Sequence, residues 1–80
     1  MIRRAGRRVD GRTVWKGRGA DVIIPLSAKA GEFMTADGVF LTSGIIDGRQ
    51  DEVRAALEVN GFTIVKHLER NGWHAYEARK

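Results

Sequence analysis

The 80-residue sequence contains no cysteine and a single proline. Without cysteine, the chain cannot form a disulfide framework or a cysteine-based zinc site. Its longest apolar run, residues 22–26, is far shorter than the roughly 20 residues that cross a bilayer. The arginine-rich N-terminus lacks the apolar stretch of a secretory signal. These absences predict a cytoplasmic protein without a membrane segment.

The composition is that of an ordinary single domain, but its charge is unevenly distributed. Hydrophobic residues make up 42% of the chain and charged residues 30%, and the net charge is +4. Residues 1–18 carry seven basic side chains and one acidic side chain, whereas residues 19–80 carry seven basic and nine acidic side chains. We therefore divide the chain into a basic arm, residues 1–19, and a folded subdomain, residues 20–80.

The arm is expected to be flexible. Val9, Val14 and Trp15 fall at neither helical nor strand spacing among four glycines and six arginines. Phosphate contacts by such arginines would release counterions, so one candidate function is a small basic protein that binds RNA or the ribosome through the arm. The alternative is a merely solvated arm, because no row of interleaved aromatics supports nucleic-acid binding. The candidate contacts are Arg3, Arg4, Arg7 and Arg8.

The first half of residues 20–80 has the pattern of a helix followed by a strand. Apolar residues recur at helical spacing over residues 21–34. Pro25 within this segment predicts a kink or a two-piece helix, and Ser27 is placed to cap the second piece. Residues 39–43 form a nearly continuous apolar run, which predicts a strand covered on both faces in the interior of a parallel sheet.

A second helix is expected over roughly residues 48–60. Asp47 precedes Gln50 at the spacing of a capping box. Three apolar residues then follow at helical spacing and are expected to pack on the strand that contains Phe40. They are Val53, Ala56 and Leu57.

The chain closes with a predicted β-hairpin. Residues 62–69 and 73–79 read as strands on either side of Asn71-Gly72, a dipeptide typical of two-residue hairpin turns. The strands at 39–43 and 62–69, joined by a helix, are expected to form a right-handed βαβ unit with parallel strands. The hairpin makes the last strand antiparallel.

Six strings in this order resemble the end of the PrmA family of ribosomal protein methyltransferases. The resemblance covers residues 20–80 and implies the C-terminal part of a Rossmann-like α/β sheet of the class I S-adenosylmethionine-dependent fold. It also implies methyl transfer to a lysine or N-terminal amine of protein eleven of the large ribosomal subunit. The strings are Ala20-Asp-Val-Ile-Ile-Pro-Leu26, Gly38-Val-Phe-Leu, Ser43-Gly-Ile-Ile46, Asp51-Glu-Val-Arg-Ala-Ala-Leu-Glu58, Gly61-Phe-Thr-Ile, and Gly72-Trp with Ala78-Arg-Lys80.

The same resemblance implies that the cofactor-binding half of the domain is absent. The family's glycine-rich loop and acidic ribose-binding residue precede the region represented here, and no Asp-x-Gly-x-Gly-x-Gly pattern occurs. The family's reaction-site asparagine falls at Gly17. The match stops near residue 19, which is the pattern that a truncated, frameshifted or misassembled reading frame produces. We therefore expect no catalytic or cofactor-binding residues, no bound S-adenosylmethionine and no activity in this chain alone.

Ser43 and Gly44 are the candidates for the substrate side of the cleft. They follow a predicted parallel strand at its carboxyl end, the edge at which open α/β sheets bind ligands. The alternative is a chain exit that requires small residues. His67 and His74 could approach each other across the hairpin, but a metal site needs a third ligand and none is suitably spaced. We therefore interpret them as surface histidines and predict no metal.

Overall fold

The chain forms a five-stranded sheet with two helices. The computed structural model describes the backbone of residues 7–9 and 12–80, with side chains from residue 14 onward. The sheet order is β1-β2-β3-β5-β4, and the predicted α/β class with its helix-strand-helix-strand-turn-strand order is confirmed. The elements are β1 (Arg7–Val9), β2 (Arg12–Arg18), α1 (Ala20–Phe33), β3 (Val39–Ile46), α2 (Gln50–Val59), β4 (Thr63–Arg70) and β5 (Trp73–Arg79).

Strand β2 corrects the predicted flexible arm over residues 12–18. These residues pair in parallel with β3, and Trp15 lies opposite Phe40 and packs against the core. Residues 12–18 show no alternating apolar pattern because β2 is held by its ladder bonds to β1 and β3 and by one large apolar side chain, rather than by an alternating apolar face. Strand β1 pairs antiparallel with β2, and residues 1–6, 10 and 11 lie outside the described residues.

The hairpin strand β5 lies between β3 and β4 and runs antiparallel to both. Strands β3 and β4 therefore point in the same direction, as predicted, although β5 lies between them. A further βαβ unit, β2-α1-β3, has parallel strands that are hydrogen-bonded neighbours. The predicted turn is confirmed, since Asn71 (φ 51°) and Gly72 (φ 81°) both take the positive φ of a two-residue hairpin turn.

Both helices cover the same face of the sheet and pack on each other. In β3, Phe40, Thr42 and Ile45 are buried, whereas Leu41 and Ile46 are exposed, so the expected coverage of this strand on both faces is wrong. The pairing of β3 with β5 shifts between Thr42 and Ile45, which marks a bulge. The core contains Ile23, Leu26, Ala30, Phe40, Ile45, Val53, Leu57 and Phe62.

The capping predictions for both helices are wrong. Helix α1 runs through Pro25 as one helix, and the buried Ser27 hydroxyl donates to the Ile24 carbonyl oxygen (2.6 Å) and accepts from Asn60 Nδ2 (3.1 Å). Helix α2 begins at Gln50, whose side-chain oxygen accepts from the Gly48 amide at 2.6 Å. The Asp47 carboxylate therefore does not cap α2 and instead contacts His74.

Candidate functional site

The carboxyl ends of the parallel strands β2 and β3 meet at one edge of the sheet. Arg18 lies opposite Ser43 in the ladder, and the Gly19 amide donates to the Ser43 carbonyl oxygen at 2.9 Å. Gly44 has a φ of 64°, a conformation that strongly favours glycine. A Cβ at position 44 would lie 2.8 Å from Arg18 Cγ. Ser43 and Gly44, the two candidates from the sequence, therefore lie beside Arg18, a cation that was not predicted at this edge.

A shallow depression of about 320 Å³ lies against these two strands. Its lining includes two cationic residues and two residues with hydroxyl groups, so it offers charge-assisted hydrogen bonds to an anionic group. The lining residues are Lys16, Gly17, Arg18, Leu41, Thr42 and Ser43.

Gly17, where the resemblance places the family's asparagine, lines this depression through its backbone, but a side chain here would face the helices. A Cβ at this position would lie 3.1 Å from Ile23 Cγ1 and 3.3 Å from Phe40 Cε1. The strand thus approaches α1 so closely that a Cβ at this position would require Ile23 or Phe40 to shift by a few tenths of an ångström. With this backbone, a side chain at position 17 would point away from the open edge.

A second polar cluster lies at the same end of the sheet. The buried His74, only 6% exposed, has its Nε2 atom 2.8 Å from Asp47 Oδ1 and its Nδ1 atom 2.8 Å from His67 Nε2. The ring of Tyr76 also contacts that of His67, with centroids 4.7 Å apart and the ring planes tilted by 34°. The interpretation of His74 as a surface histidine is therefore wrong. The hairpin register places His67 and His74 close together, but the third member of the cluster, Asp47, comes from the turn that follows β3.

The hydrogen bonds constrain where the protons lie in this cluster. A carboxylate can only accept, so the proton between His74 and Asp47 resides on His74 Nε2. If His74 is neutral, its Nδ1 atom accepts from His67 Nε2, which leaves His67 Nδ1 as an acceptor. The arrangement orients two imidazoles, but both nitrogens of His74 are engaged. Among residues 14–80, no group of three or more His, Cys, Asp or Glu side chains could hold a metal ion.

Charged pairs tie the beginnings of the two helices together near this edge. Arg49 donates to Asp21 at 2.7 Å and to Glu52 at 3.1 Å, and these hydrogen bonds raise the pKa of the Arg49 guanidinium. The phenol of Tyr76 donates to the Gln50 carbonyl oxygen at 3.0 Å. Burial raises the pKa of Tyr76. Arg49 and Tyr76 thus hold α2 against α1 and β5.

The side chains of the four proposed nucleic-acid contacts lie outside the described part of the structure. Arg3 and Arg4 lie outside the described residues, and Arg7 and Arg8 belong to β1, whose side chains are not described. In the part of the chain that the structure covers, no helix is both long and apolar enough to cross a membrane.

Comparison with known proteins places this site in a family. A family model described as ribosomal protein L11 methyltransferase (PrmA) matches residues 20–80. The ribosomal protein L11 methyltransferase of Lachnoclostridium phytofermentans is 46% identical over 61 residues, which are 76% of this chain and 18% of the relative. That of Bacillus subtilis is 41% identical over 61 residues, which are 76% of this chain and 20% of the relative. The chain therefore spans about a fifth of the length of these relatives.

The fold is shared with a solved structure. A ribosomal protein L11 methylase from Lactobacillus delbrueckii subsp. bulgaricus superposes with a TM-score of 0.77 at 24% identity. The superposition covers 90% of this chain and 39% of that one. Because 90% of 80 residues exceeds the 61 residues of the sequence match, the fold similarity includes part of the segment before residue 20.

Proposed function

Because the chain belongs to the ribosomal protein L11 methyltransferase family over residues 20–80, we propose that it supplies one wall of a cytoplasmic, S-adenosylmethionine-dependent protein methyltransferase. The wall is the carboxyl edge of β2 and β3, with Ser43 and Gly44 on the substrate side. The hydrogen bond from the Gly19 amide to the Ser43 carbonyl oxygen, at 2.9 Å, carries the proposal because it sets the two strand ends at a single edge. Ligands of open α/β sheets bind at this edge.

By itself this wall does not perform methyl transfer. In doubly wound folds the cofactor is held by a glycine-rich turn and an acidic ribose partner, and the chain contains no Asp-x-Gly-x-Gly-x-Gly pattern. Alignment of donor and acceptor at about 3–3.5 Å can contribute roughly 7–11 kcal/mol of barrier lowering. One wall cannot provide that alignment. Cofactor and ribosomal protein are therefore expected to be bound only together with the remainder of the domain.

A chimera tests the wall directly. Residues 20–80 replace the 61-residue matched segment of the Lachnoclostridium phytofermentans relative, and transfer of labelled methyl groups to ribosomal protein L11 is measured. We expect the chimera to methylate L11 and a Ser43→Trp version to lose at least tenfold in kcat/KM. Lys29→Trp, on the exposed surface of α1, is the control. A soluble chimera with no activity, or equal activity of the Ser43→Trp and control versions, would refute the proposal.

The isolated chain provides the complementary test. Calorimetric titration of the 80-residue chain with S-adenosylmethionine should give no saturable heat. Saturable binding at micromolar concentrations would contradict the proposal that this chain alone does not bind the cofactor, because it would require a cofactor site within the chain.

The alternative function, RNA binding through the arm, is supported by the seven basic residues against one acidic residue in residues 1–18. It predicts affinity for RNA that falls steeply with salt and disappears when Arg3, Arg4, Arg7 and Arg8 are replaced by glutamine. Unchanged RNA affinity in that variant would remove the arm from consideration.

A further inference from the structure

The side of β2 that faces away from β3 is where this sheet would continue in a larger α/β domain. Strand β2 opens a βαβ unit, since it leads through α1 into its parallel neighbour β3. Doubly wound sheets join two halves side by side, and the first strand of the second half lies beside the first half. The outer side of β2 is therefore the side that would face the remainder of a methyltransferase domain.

In this chain, β1 occupies that side of β2. The sheet order places β1 outermost among the described strands, next to β2. The two strands are antiparallel, whereas a doubly wound sheet would have a parallel strand at this position. Because β1 precedes the matched residues 20–80, the arm of this chain fills the position. The paired residues are Arg7 with Val14, Arg8 with Thr13 and Val9 with Arg12.

The connection between β1 and β2 is short and is favoured by the local sequence. The pairing of Val9 with Arg12 leaves two residues between the strands, and these are Asp10 and Gly11. An Asp-Gly pair between two strands favours a two-residue hairpin turn. A strand tethered by so short a link has an effective concentration of about millimolar for its neighbour. A strand from another chain would have to displace it.

Both edges of the sheet have features that discourage further pairing. Strand β1 has three residues, two of which are arginines, and short, charged edge strands oppose edge-to-edge association. At the opposite edge, the register of β4 shifts between Ile64 and Lys66, as a bulge produces. Bulges also protect edge strands. The sheet of this chain is therefore closed on both sides.

We propose that β1 is an autoinhibitory strand, which closes the edge of β2 against the remainder of a methyltransferase domain until it detaches. The proposal rests on the proposed function, because it takes that remainder as the partner. The relatives provide ample chain for the partner, since this sequence spans only 18–20% of their length. Detachment breaks the ladder between β1 and β2 and leaves the ladder between β2 and β3 in place.

Proline variants detach β1 selectively. In a hairpin closed by two residues, the pair beside the turn exchanges hydrogen bonds and the next pair does not. The amides of residues 7 and 9 therefore point to β2, and the amide of residue 8 points away. Proline removes the amide donor, so Arg7→Pro/Val9→Pro opens the pairing. Arg8→Pro has the same net charge, keeps both donors and is the matched control.

Hydrogen exchange shows whether β1 has detached without unfolding the chain. The Val14 amide points to β1 and the Trp15 amide points to β3, because successive amides of a strand alternate in direction. In Arg7→Pro/Val9→Pro, the Val14 amide should exchange at least tenfold faster than in Arg8→Pro. The Trp15 amide should exchange equally in both variants.

A removable crosslink tests the inhibition itself. Residues of a pair without mutual hydrogen bonds have Cα atoms about 4.5 Å apart, within the range of roughly 4.4–6.8 Å that a disulfide spans. The chain has no cysteine of its own, so Arg8→Cys/Thr13→Cys forms a single disulfide between β1 and β2. The binding partner is the Lachnoclostridium phytofermentans relative lacking its 61-residue matched segment, with its fold checked by circular dichroism.

Calorimetric titration with this partner measures the effect of the crosslink. We expect the reduced chain to bind at least tenfold more tightly than the oxidised chain. Arg7→Pro/Val9→Pro should bind at least tenfold more tightly than Arg8→Pro. Equal binding of the oxidised and reduced chains would overturn the proposal. No binding by a folded Arg7→Pro/Val9→Pro chain would also overturn it, because the opened edge would then not be the docking edge.

The outcomes separate this proposal from the proposed function. If the opened chain binds the partner and the complex does not methylate ribosomal protein L11, autoinhibition is supported and the catalytic wall is contradicted. If the chimera described above methylates L11 while the crosslink leaves partner binding unchanged, the wall is supported and autoinhibition is overturned.

Two measurements on the chain alone cover variants or partners that do not fold. An exposed strand edge pairs with other chains, so Arg7→Pro/Val9→Pro should sediment at a larger mass than Arg8→Pro at the same concentration. Equal masses would overturn the proposal. If the double-proline variant is unfolded, the Val14 amide of the crosslinked chain decides. It should exchange at least tenfold faster after reduction, and equal rates would show that β1 does not detach.

Discussion

His74 Nδ1 lies 2.8 Å from His67 Nε2, so the two imidazoles of the hairpin share a hydrogen bond. On its other side His74 is held by Asp47, also at 2.8 Å. The three side chains belong to β4, to β5 and to the turn that follows β3. A single buried ring therefore links the hairpin to the strand that leads into the candidate cleft.

This linkage predicts energetic coupling between Asp47 and His67. In a double-mutant cycle with Asp47→Ala and His67→Ala, unfolding by urea should give a coupling free energy of about 0.5–3 kcal/mol, since both act through one tautomer of His74. The coupling should fall to within about 0.5 kcal/mol of zero in a His74→Leu background. Coupling that persists without His74 would mean that the ring does not transmit it.

Leu57 is expected to anchor α2 in the core. Its side chain is fully buried, so Leu57→Ala should lower the free energy of unfolding by about 2–5 kcal/mol. Val59→Ala, at an exposed position of the same helix, should change it by less than about 0.5 kcal/mol. Chemical denaturation of the three proteins measures both effects. A loss below about 0.5 kcal/mol for Leu57→Ala would exclude this residue from the core.

The Thr42 hydroxyl completes the ladder at the bulge. It accepts from the Tyr76 amide at 3.1 Å and donates to the Tyr76 carbonyl oxygen at 3.2 Å. Thr42→Val keeps the shape but leaves both backbone groups without these bonds, which should cost about 1–3 kcal/mol. Thr42→Ser, which keeps the hydroxyl, should be the more stable of the two in thermal unfolding. The reverse order would show that the methyl group, not the hydroxyl, matters at this position.

Gly17→Asn, which introduces the residue of the family's motif, should destabilise the fold. Its Cβ would approach Ile23 Cγ1 to 3.1 Å, and overpacking of this kind costs about 1–3 kcal/mol. Lys16→Asn, on the opposite face of β2, should have less effect. Thermal unfolding of both variants measures the difference. A Gly17→Asn protein as stable as the parent would mean that β2 can shift and present this side chain to the cleft.

The buried phenol of Tyr76 is expected to make the folded protein less stable in alkaline solution. Burial raises its pKa in the folded state, so the unfolded chain loses the phenol proton first, near pH 10. The contribution is complete below that pH and is lost as the pH rises through the folded-state pKa. Tyr76→Phe should lose about 0.5–1.5 kcal/mol at pH 7 through the bond to Gln50. Its stability should fall less steeply between pH 9 and about 11, as urea titrations would show; parallel slopes would contradict this origin.

Local sequence determined most of the elements after residue 20. The Asn71-Gly72 turn, the two hairpin strands and the spacing of Val53 and Leu57 depend on near neighbours in the chain, so they could be predicted from the order of residues alone. The family resemblance could be read for the same reason. A short string of residues can be recognised in a sequence without knowing how the rest of the chain folds.

Tertiary structure decided the rest. Strand β2 has no periodic pattern and exists because β3 offers a parallel partner and the core accepts Trp15. Asp47 satisfies a local capping pattern, yet it turns to His74, because a buried imidazole without a partner costs more than an exposed helix end that water can satisfy. Both outcomes depend on groups 25 or more residues apart, and no local pattern encodes which of two competing partners a side chain will meet.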